Sequence, residues 1–259
     1  MLNLANKFFG VIISKVLGEQ KPIELSKQFL FHFVAVVHHL YVAWYSCTQL
    51  DFKDVTEPKI LIIANYAPAY FTTWNFTMQL CYFTLSAWCD LQDALRTKHE
   101  RLSDILKIKS YIYTIFVFSS GILVTSLFWG LYHIDNEYIY PQVCQNFFPS
   151  ILNHSFHTVI FVFVVIEAIY VDHPWYDLKL SVVVYTIYFI AYHLVYLGAS
   201  AMLGYFLYPV FNLMSATGVA TFIFSYYVWS IILIVICIQV EKWKGNSENT
   251  RKSALKKCE

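Results

Sequence analysis

Charged residues are scarce in this chain of 259 residues, where Asp, Glu, Lys and Arg make up 14%, against about 25% in a typical soluble domain. Glycine and proline number only 8 and 7, which excludes a collagen-like repeat and a Pro/Gly-rich disordered chain. The six cysteines form no Cys-x-x-Cys pair and no Cys/His metal spacing, so we expect no metal site, and no motif indicates a cofactor. The net charge of +1 gives no basic field for nucleic acid.

Apolar residues, in contrast, make up 58% of the chain and aromatic residues 19%. They concentrate in six stretches that contain no Lys or Arg and reach the length of about 20 residues that crosses a bilayer as a helix. The stretches are Phe29–Leu50, Tyr70–Cys89, Tyr111–Tyr132, Ile151–Val171, Leu180–Leu203 and Ala216–Val240. Membrane β-barrels need a different pattern, namely segments of about 10 residues in which apolar and polar residues alternate. The sequence therefore predicts an all-α polytopic membrane protein, a six-transmembrane-helix bundle over residues 28–243.

The N-terminal segment, residues 1–27, contains a short apolar run that ends at Lys15. The run is too short for the apolar core of a signal peptide and no small-residue cleavage site follows it. Its apolar residues near one helical face are Leu4, Phe8, Val11 and Leu17. This pattern favours an amphipathic helix lying in the membrane interface over a seventh, irregular span.

Basic residues indicate the orientation of the bundle. With the N-terminus in the cytosol, the cytosolic segments carry 16 of the 18 Lys and Arg residues, as the positive-inside rule expects. The basic tail, residues 244–259, then also lies in the cytosol. It ends in Lys256-Lys257-Cys258-Glu259, a dilysine pattern that cytosolic coat proteins read as a retrieval address. We therefore favour the endoplasmic reticulum; the alternative is a basic tail without such a role.

Polar residues inside the spans are costly and mark candidate functional positions. In the second span Thr72, Asn75 and Gln79 share one helical stripe, and in the fourth span Asn153 and His157 share a face. Both spans start from odd-numbered loops, so Thr72 and His157 lie near the same membrane face. A hydroxyl nucleophile needs an adjacent base, which an imidazole can supply. Hydrogen bonding between helices and a buried core histidine are the alternative interpretations.

Glu167 is the only carboxylate in mid-span. It lies ten residues after His157, or about 15 Å along a helix. This separation makes Glu167 a poor partner for the His157 ring.

Three segments around the third loop and the fourth span carry a resemblance. They are Asp135–Pro141, Asn146–Pro149 and Leu152–Thr158. They resemble the patterns D-R-E-x-x-Y-P, N-F-x-P and L-N-H-x-x-H-T of the androgen-induced gene 1 / androgen-dependent TFPI-regulating protein family. The second span resembles the family pattern [FY]-[LM]-T-x-x-[ND]-x-x-x-Q, and Gly204 with Tyr208–Phe211 resembles G-x-W-x-Y-P-[VF]-F.

The resemblance implies a six-span threonine hydrolase that cleaves fatty acid esters of hydroxy fatty acids, with membrane lipids as its surroundings. The family's threonine nucleophile maps onto Thr72, and its essential histidine, the base, maps onto His157. Supporting roles fall to Asn75, Gln79, Asn153 and His154. Of these, Asn75 or Asn153 is expected to donate a hydrogen bond to the oxyanion. The alternative is a non-catalytic multi-pass membrane regulator or scaffold.

The chain departs from the family pattern at three places. Asn136 replaces the arginine of D-R-E, and Phe206 replaces the tryptophan of G-x-W. Ser200–Leu203 fills the place where members often carry a histidine. These changes leave Thr72 and His157 in place and bear on substrate preference.

Overall fold

The computed structural model describes residues 7–8, 10–13, 25–95 and 102–256, with side chains as far as residue 246. From residue 25 onward the described residues form eight helices. They are α1 (Lys27–Thr48), α2 (Pro58–Asn65), α3 (Phe71–Ala94), α4 (Leu102–Ile134), α5 (Gln142–Phe147), α6 (Ser150–Tyr170), α7 (Leu178–Leu203) and α8 (Ala216–Lys256). Three 3₁₀ turns, Ala67–Ala69, Asn136–Tyr138 and Pro209–Leu213, lie in the connections.

Five of the described helices are long and apolar enough to cross a membrane, namely α1, α4, α6, α7 and α8. This confirms the prediction of an all-α, multi-pass membrane protein. The predicted count of six spans is not matched by the same measure. Helix α3 has 24 residues, which suffices in length, but its polar side chains lower its mean hydropathy. These polar side chains include the predicted stripe Thr72, Asn75 and Gln79, and α3 packs along α1 and along α4, including the π-helical turn Tyr113–Phe118 within α4.

Of the N-terminal segment, residues 7–8 and 10–13 are helical, and Ile13 packs against Leu25 and Phe29. The rest of the predicted interfacial helix lies outside the described residues. At the other end α8 continues as a helix to Lys256, while Lys257 and the last two residues lie outside the described chain.

A close approach of three helices occurs at Gly121 on α4. A Cβ atom at this position would lie 2.8 Å from Val164 Cγ2 on α6 and 3.0 Å from Gln79 Nε2 on α3. Both neighbours are buried. Only glycine therefore lets α4 pack at this distance from α3 and α6.

A buried charged cluster joins the helices at the end far from Thr72. The Glu167 carboxylate, which is fully buried, accepts hydrogen bonds from the hydroxyl of Tyr82, from His32 Nε2 at 2.9 Å and from His173 Nε2 at 3.2 Å. The other ring nitrogen of His32 lies 2.7 Å from Asp90 Oδ2. We refer to these five residues as the Glu167 cluster. Three donors thus compensate the desolvation of one carboxylate.

Substitution of Gly121 by alanine should destabilise the protein by about 1–3 kcal/mol, because the added methyl group overpacks the contact with Val164. Gly130 is the matched control on the same helix, since no atom lies within 4 Å of a Cβ added there. Thermal unfolding in detergent micelles measures both variants. Equal melting temperatures for Gly121→Ala and Gly130→Ala would contradict the packing argument.

The substitution Glu167→Gln should cost about 3–5 kcal/mol, because it removes one charge from a buried, hydrogen-bonded ionic cluster. Glu137→Gln is the control, since Glu137 is exposed and pairs with Lys59 at 3.2 Å. An exposed pair contributes about 1 kcal/mol or less. Unfolding curves of both variants test this; a Glu167→Gln protein as stable as the Glu137→Gln protein would show that the cluster does not hold the helices together.

Candidate active site

Thr72 and His157 face each other across the interface of α3 and α6. Thr72 is the second residue of α3, and His157 lies in the third position of a π-helical turn, Ser155–Val159, within α6. The distance from Thr72 Oγ1 to His157 Nε2 is 3.4 Å. Catalytic hydrogen bonds are often this long before substrate binds. The structure thus brings together the hydroxyl and the imidazole that the sequence singled out.

The His157 ring is held on two sides. Its Nδ1 lies 2.9 Å from Asn153 Oδ1 and 3.0 Å from the Asn153 carbonyl oxygen. Two oxygen acceptors at one nitrogen require that Nδ1 carries the hydrogen and donates it. The ring also stacks on Phe128, with 3.6 Å between centroids and 9° between planes. Nε2 is therefore the unprotonated nitrogen, and its lone pair is directed at the Thr72 hydroxyl.

The π turn around His157 inserts an extra residue into one turn of α6. Turns of this kind are rare and frequently occur at functional sites. Trp129 Nε1 donates to the His157 carbonyl oxygen and to Thr158 Oγ1, at 3.2 Å each. This side-chain donor satisfies a carbonyl in a turn whose regular hydrogen bonds are displaced. No signal in the sequence indicated the π turn.

A cavity of about 670 Å³ opens beside the pair, and both Thr72 and His157 line it. Its walls are mainly apolar and aromatic, and no Lys, Arg, Asp or Glu lines it among the described residues. Helix α2 and the third loop contribute Leu61, Ile63, Ile139 and Tyr140 to the wall. Such a space suits apolar chains next to a few polar groups.

The third loop is fixed to α2 by an ion pair outside the cavity. Lys59 Nζ lies 3.2 Å from Glu137 Oε2, and the Gln142 backbone N–H donates to Glu137 Oε1 at 2.8 Å. That N–H and, to a lesser degree, the Lys59 ammonium lower the pKa of the Glu137 carboxyl group. Glu137 is therefore ionised at neutral pH and can hold both partners.

The four predicted supporting residues have different surroundings. Asn153 contacts His157 and lines the cavity. Asn75 and Gln79 are fully buried and face Gly121; within the described chain they form no part of the cavity wall. His154 is exposed, bonds to Thr158 Oγ1 at 3.2 Å and stacks on Trp129. Among the four, Asn153 is thus the residue with a hydrogen bond to the candidate pair in the described structure.

Two other threonines near Thr72 have backbone acceptors. Thr73 Oγ1 donates to the Ala67 carbonyl oxygen at 2.7 Å, and Thr77 Oγ1 donates to the Thr73 carbonyl oxygen at 2.8 Å. Only Thr72 of these three faces an imidazole. Sequence reasoning missed Tyr208, whose hydroxyl oxygen lies 3.1 Å from the Phe71 backbone nitrogen.

Together the fold and the cavity define a helical, multi-pass membrane protein with a threonine–histidine pair facing an apolar chamber. The sequence profile of FAR-17a/AIG1-like proteins matches residues 27–242, and the chain belongs to that family. This confirms the resemblance found in its motifs.

The relatives include two androgen-dependent TFPI-regulating proteins. The protein from Rattus norvegicus is 27% identical over 230 residues, which cover 88% of this chain and 96% of the relative. The protein from Homo sapiens is 28% identical over 225 residues, covering 84% and 96%. The androgen-induced gene 1 protein of Homo sapiens is 28% identical over 104 residues, covering 38% and 44%. No solved structure matches the chain.

Proposed function

We propose that this protein is a membrane-embedded threonine hydrolase that cleaves the ester bond of fatty acid esters of hydroxy fatty acids. The observation that carries the proposal is the Thr72–His157 contact of 3.4 Å at the wall of an apolar cavity. The substrate class comes from the family resemblance of the motifs around these two residues. The cavity supports it, because both chains of such an ester are apolar.

In the proposed reaction His157 Nε2 takes the Thr72 hydroxyl proton while Oγ1 attacks the ester carbonyl carbon. The tetrahedral intermediate collapses, the bond to the hydroxy fatty acid oxygen breaks, and His157 returns its proton to that oxygen. Water, deprotonated by the same ring, then attacks the acyl-threonine and releases the fatty acid. Asn153 keeps the hydrogen on Nδ1 throughout and so keeps Nε2 available as the base.

The charges around the cavity suggest how the substrate lies. No cationic side chain among the described residues of the cavity wall can pair with the free carboxylate of the substrate. Lys59, near the cavity, already pairs with Glu137, while Lys53 lies exposed in the first loop. We therefore place the substrate carboxylate at the membrane interface and the ester inside the cavity.

We further propose that the cavity opens on the luminal side and that both termini lie in the cytosol. The distribution of Lys and Arg supports this orientation. The dilysine tail supports recognition by coat proteins and residence in the endoplasmic reticulum.

The alternative function is a non-catalytic regulator or scaffold in the membrane. The names of the relatives at 27–28% identity, which describe regulation of TFPI, favour it. A scaffold has no need of a free imidazole nitrogen directed at a hydroxyl group, which is why we prefer the hydrolase.

Thr72→Ala should abolish labelling by a fluorophosphonate probe and lower ester hydrolysis by about 1000-fold or more, because the nucleophile is lost. His157→Ala should lose activity by a similar factor, since the two residues act as a unit. Thr72→Ser should keep partial activity, because it retains the hydroxyl but loses the methyl group that restricts χ1. The assay uses purified protein in lipid and a panel of lipid esters.

Thr77→Ala serves as the matched control for these variants, because it removes an exposed hydroxyl five residues along α3, whose partner among the described residues is the Thr73 carbonyl. It should retain activity close to that of the wild type. A folded Thr72→Ala protein that still hydrolyses the ester would rule out this nucleophile. Wild-type protein that neither labels nor hydrolyses any ester would favour the regulator instead.

A pair of single cysteines tests the orientation in a variant whose native cysteines are replaced by serine. Asp54→Cys, in the exposed first loop, should resist a membrane-impermeant thiol reagent in sealed microsomes until the membrane is opened. Lys179→Cys, exposed at the start of α7, should react at once, because it lies on the cytosolic side. The reverse pattern of labelling would invert the proposed topology.

A further inference from the structure

Tyr208 reaches the site from a distant part of the sequence. Helix α7 ends at Leu203, and Gly204 adopts the left-handed conformation, with φ of 78°, which glycine tolerates without steric cost. The chain then returns to the N-terminus of α3, where Tyr208 lines the cavity. Its ring packs at right angles to Tyr70, with centroids 5.3 Å apart.

The hydrogen bonds of the Tyr208 hydroxyl leave its proton free. A phenol accepts through its oxygen lone pairs and donates one hydrogen. The oxygen accepts the Phe71 backbone N–H at 3.1 Å and the Tyr192 hydroxyl at 3.5 Å, the outer limit of hydrogen-bond distance. No acceptor for the Tyr208 proton occurs among the described residues. Burial raises the pKa of Tyr208, so the phenol keeps this proton at neutral pH.

The Tyr208 hydroxyl lies at the end of α3 that carries Thr72. Phe71, whose N–H bonds to Tyr208, immediately precedes Thr72 at the N-terminus of α3. The first N–H groups of a helix have no acceptor within the helix and form the positive end of its dipole. An ester carbonyl bonded to Thr72 Oγ1 has to lie beside this helix end, and the Tyr208 phenol lies on the same cavity wall.

The two asparagines expected to supply an oxyanion donor are less suitable. Asn75 lies one turn deeper in α3, is fully buried and faces Gly121 rather than the cavity. Asn153 directs its side-chain oxygen to His157, so its amide group cannot be reoriented toward an oxyanion without losing that bond. Tyr208 has neither constraint.

We propose that the Tyr208 hydroxyl donates a hydrogen bond to the oxyanion of the tetrahedral intermediate. The inference rests on the proposed hydrolase function and adds a third catalytic residue to it. When Thr72 Oγ1 bonds to the carbonyl carbon, the C=O π electrons move to oxygen, and Tyr208 stabilises that oxygen without transferring its proton. The bond is absent from the reactants and forms fully at the intermediate, which is the condition for raising kcat.

The test is Tyr208→Phe, assayed on a lipid ester after folding is checked by gel filtration in detergent. Removal of one oxyanion donor lowers kcat by about 100-fold, with little change in KM. Tyr227→Phe is the matched control, because it removes a phenol that bonds to Thr186 at 2.8 Å and does not line the cavity within the described chain. It should keep wild-type activity. A folded Tyr208→Phe protein with unchanged kcat overturns the proposal.

A thionoester substrate separates donation from a merely structural effect. Sulfur accepts hydrogen bonds poorly, so the wild type should hydrolyse the oxoester faster than the thionoester, and Tyr208→Phe should reduce this ratio. Equal losses on both substrates would assign Tyr208 a structural role and overturn the proposal. Absence of turnover by the wild type on both substrates would instead disprove the hydrolase function, and this inference with it.

Should Tyr208→Phe fail to fold, 3,5-difluorotyrosine at position 208 keeps the shape and both acceptor interactions. Its phenol is more acidic and ionises at an alkaline pH at which the native phenol is still protonated. Ionisation removes the donated hydrogen. We expect the alkaline limb of the kcat profile to move to lower pH; an unchanged profile overturns the proposal.

Discussion

The bond between Tyr82 on α3 and Glu167 on α6 sets the relative depth of the two helices that carry the candidate site. Thr72 lies ten residues before Tyr82, and His157 lies ten residues before Glu167. Ten residues of helix rise about 15 Å. Because α3 and α6 run in the same direction, the bond that joins them at Tyr82 and Glu167 also brings Thr72 and His157 to a common level. A carboxylate without its donors is costly in an apolar interior. The cluster therefore opposes sliding of α3 along α6, and such sliding would separate the hydroxyl from the imidazole.

The same end of the bundle is fastened to α8 and to the loop after α6. Glu241 accepts the backbone N–H of His173 at 2.8 Å, and Lys244 donates to the Val171 carbonyl oxygen at 2.7 Å and pairs with Glu241 at 2.7 Å. His173 also stacks on Tyr113, with centroids 3.9 Å apart, and burial lowers the pKa of His173. Hydrogen bonds, ion pairs and stacked rings thus occupy the space between the helices at this end. At the other end the helices enclose the cavity of about 670 Å³, and its shape depends on helices held at the far end.

The sequence predicted the helical class, because its apolar stretches are long enough to span a membrane. It predicted the approach of Thr72 to His157, because the number of loops determines the membrane face at which each span begins. It also predicted that Glu167 is too far away to orient His157, and the structure places Glu167 with His32, Tyr82 and His173 instead. The contacts that depend on rotation of one helix about another were not predictable. His32 is a single polar residue in an apolar run, and its position between two carboxylates follows only from the packing of α1 on α3. The π turn around His157 and the position of Tyr208 beside α3 were missed for the same reason, since neither has a periodic signal in the sequence.

Two of the three departures from the family pattern fall on turns at the cavity end, the third, Ser200–Leu203, ends helix α7, and all three leave the Thr72–His157 pair intact. Phe206, in place of tryptophan, belongs to the turn before Tyr208, where its N–H donates to Asn212 Oδ1 and its carbonyl accepts from Asn212 Nδ2, at 2.8 Å each. Asn136, in place of arginine, begins the 3₁₀ turn that contains Glu137. The smaller ring and the lost cation lie in turns next to Tyr208 and Ile139 of the cavity wall, while the distance between hydroxyl and imidazole depends on α3 and α6. In the proposed hydrolase, the reacting pair and the departures from the family pattern therefore lie in separate parts of the chain.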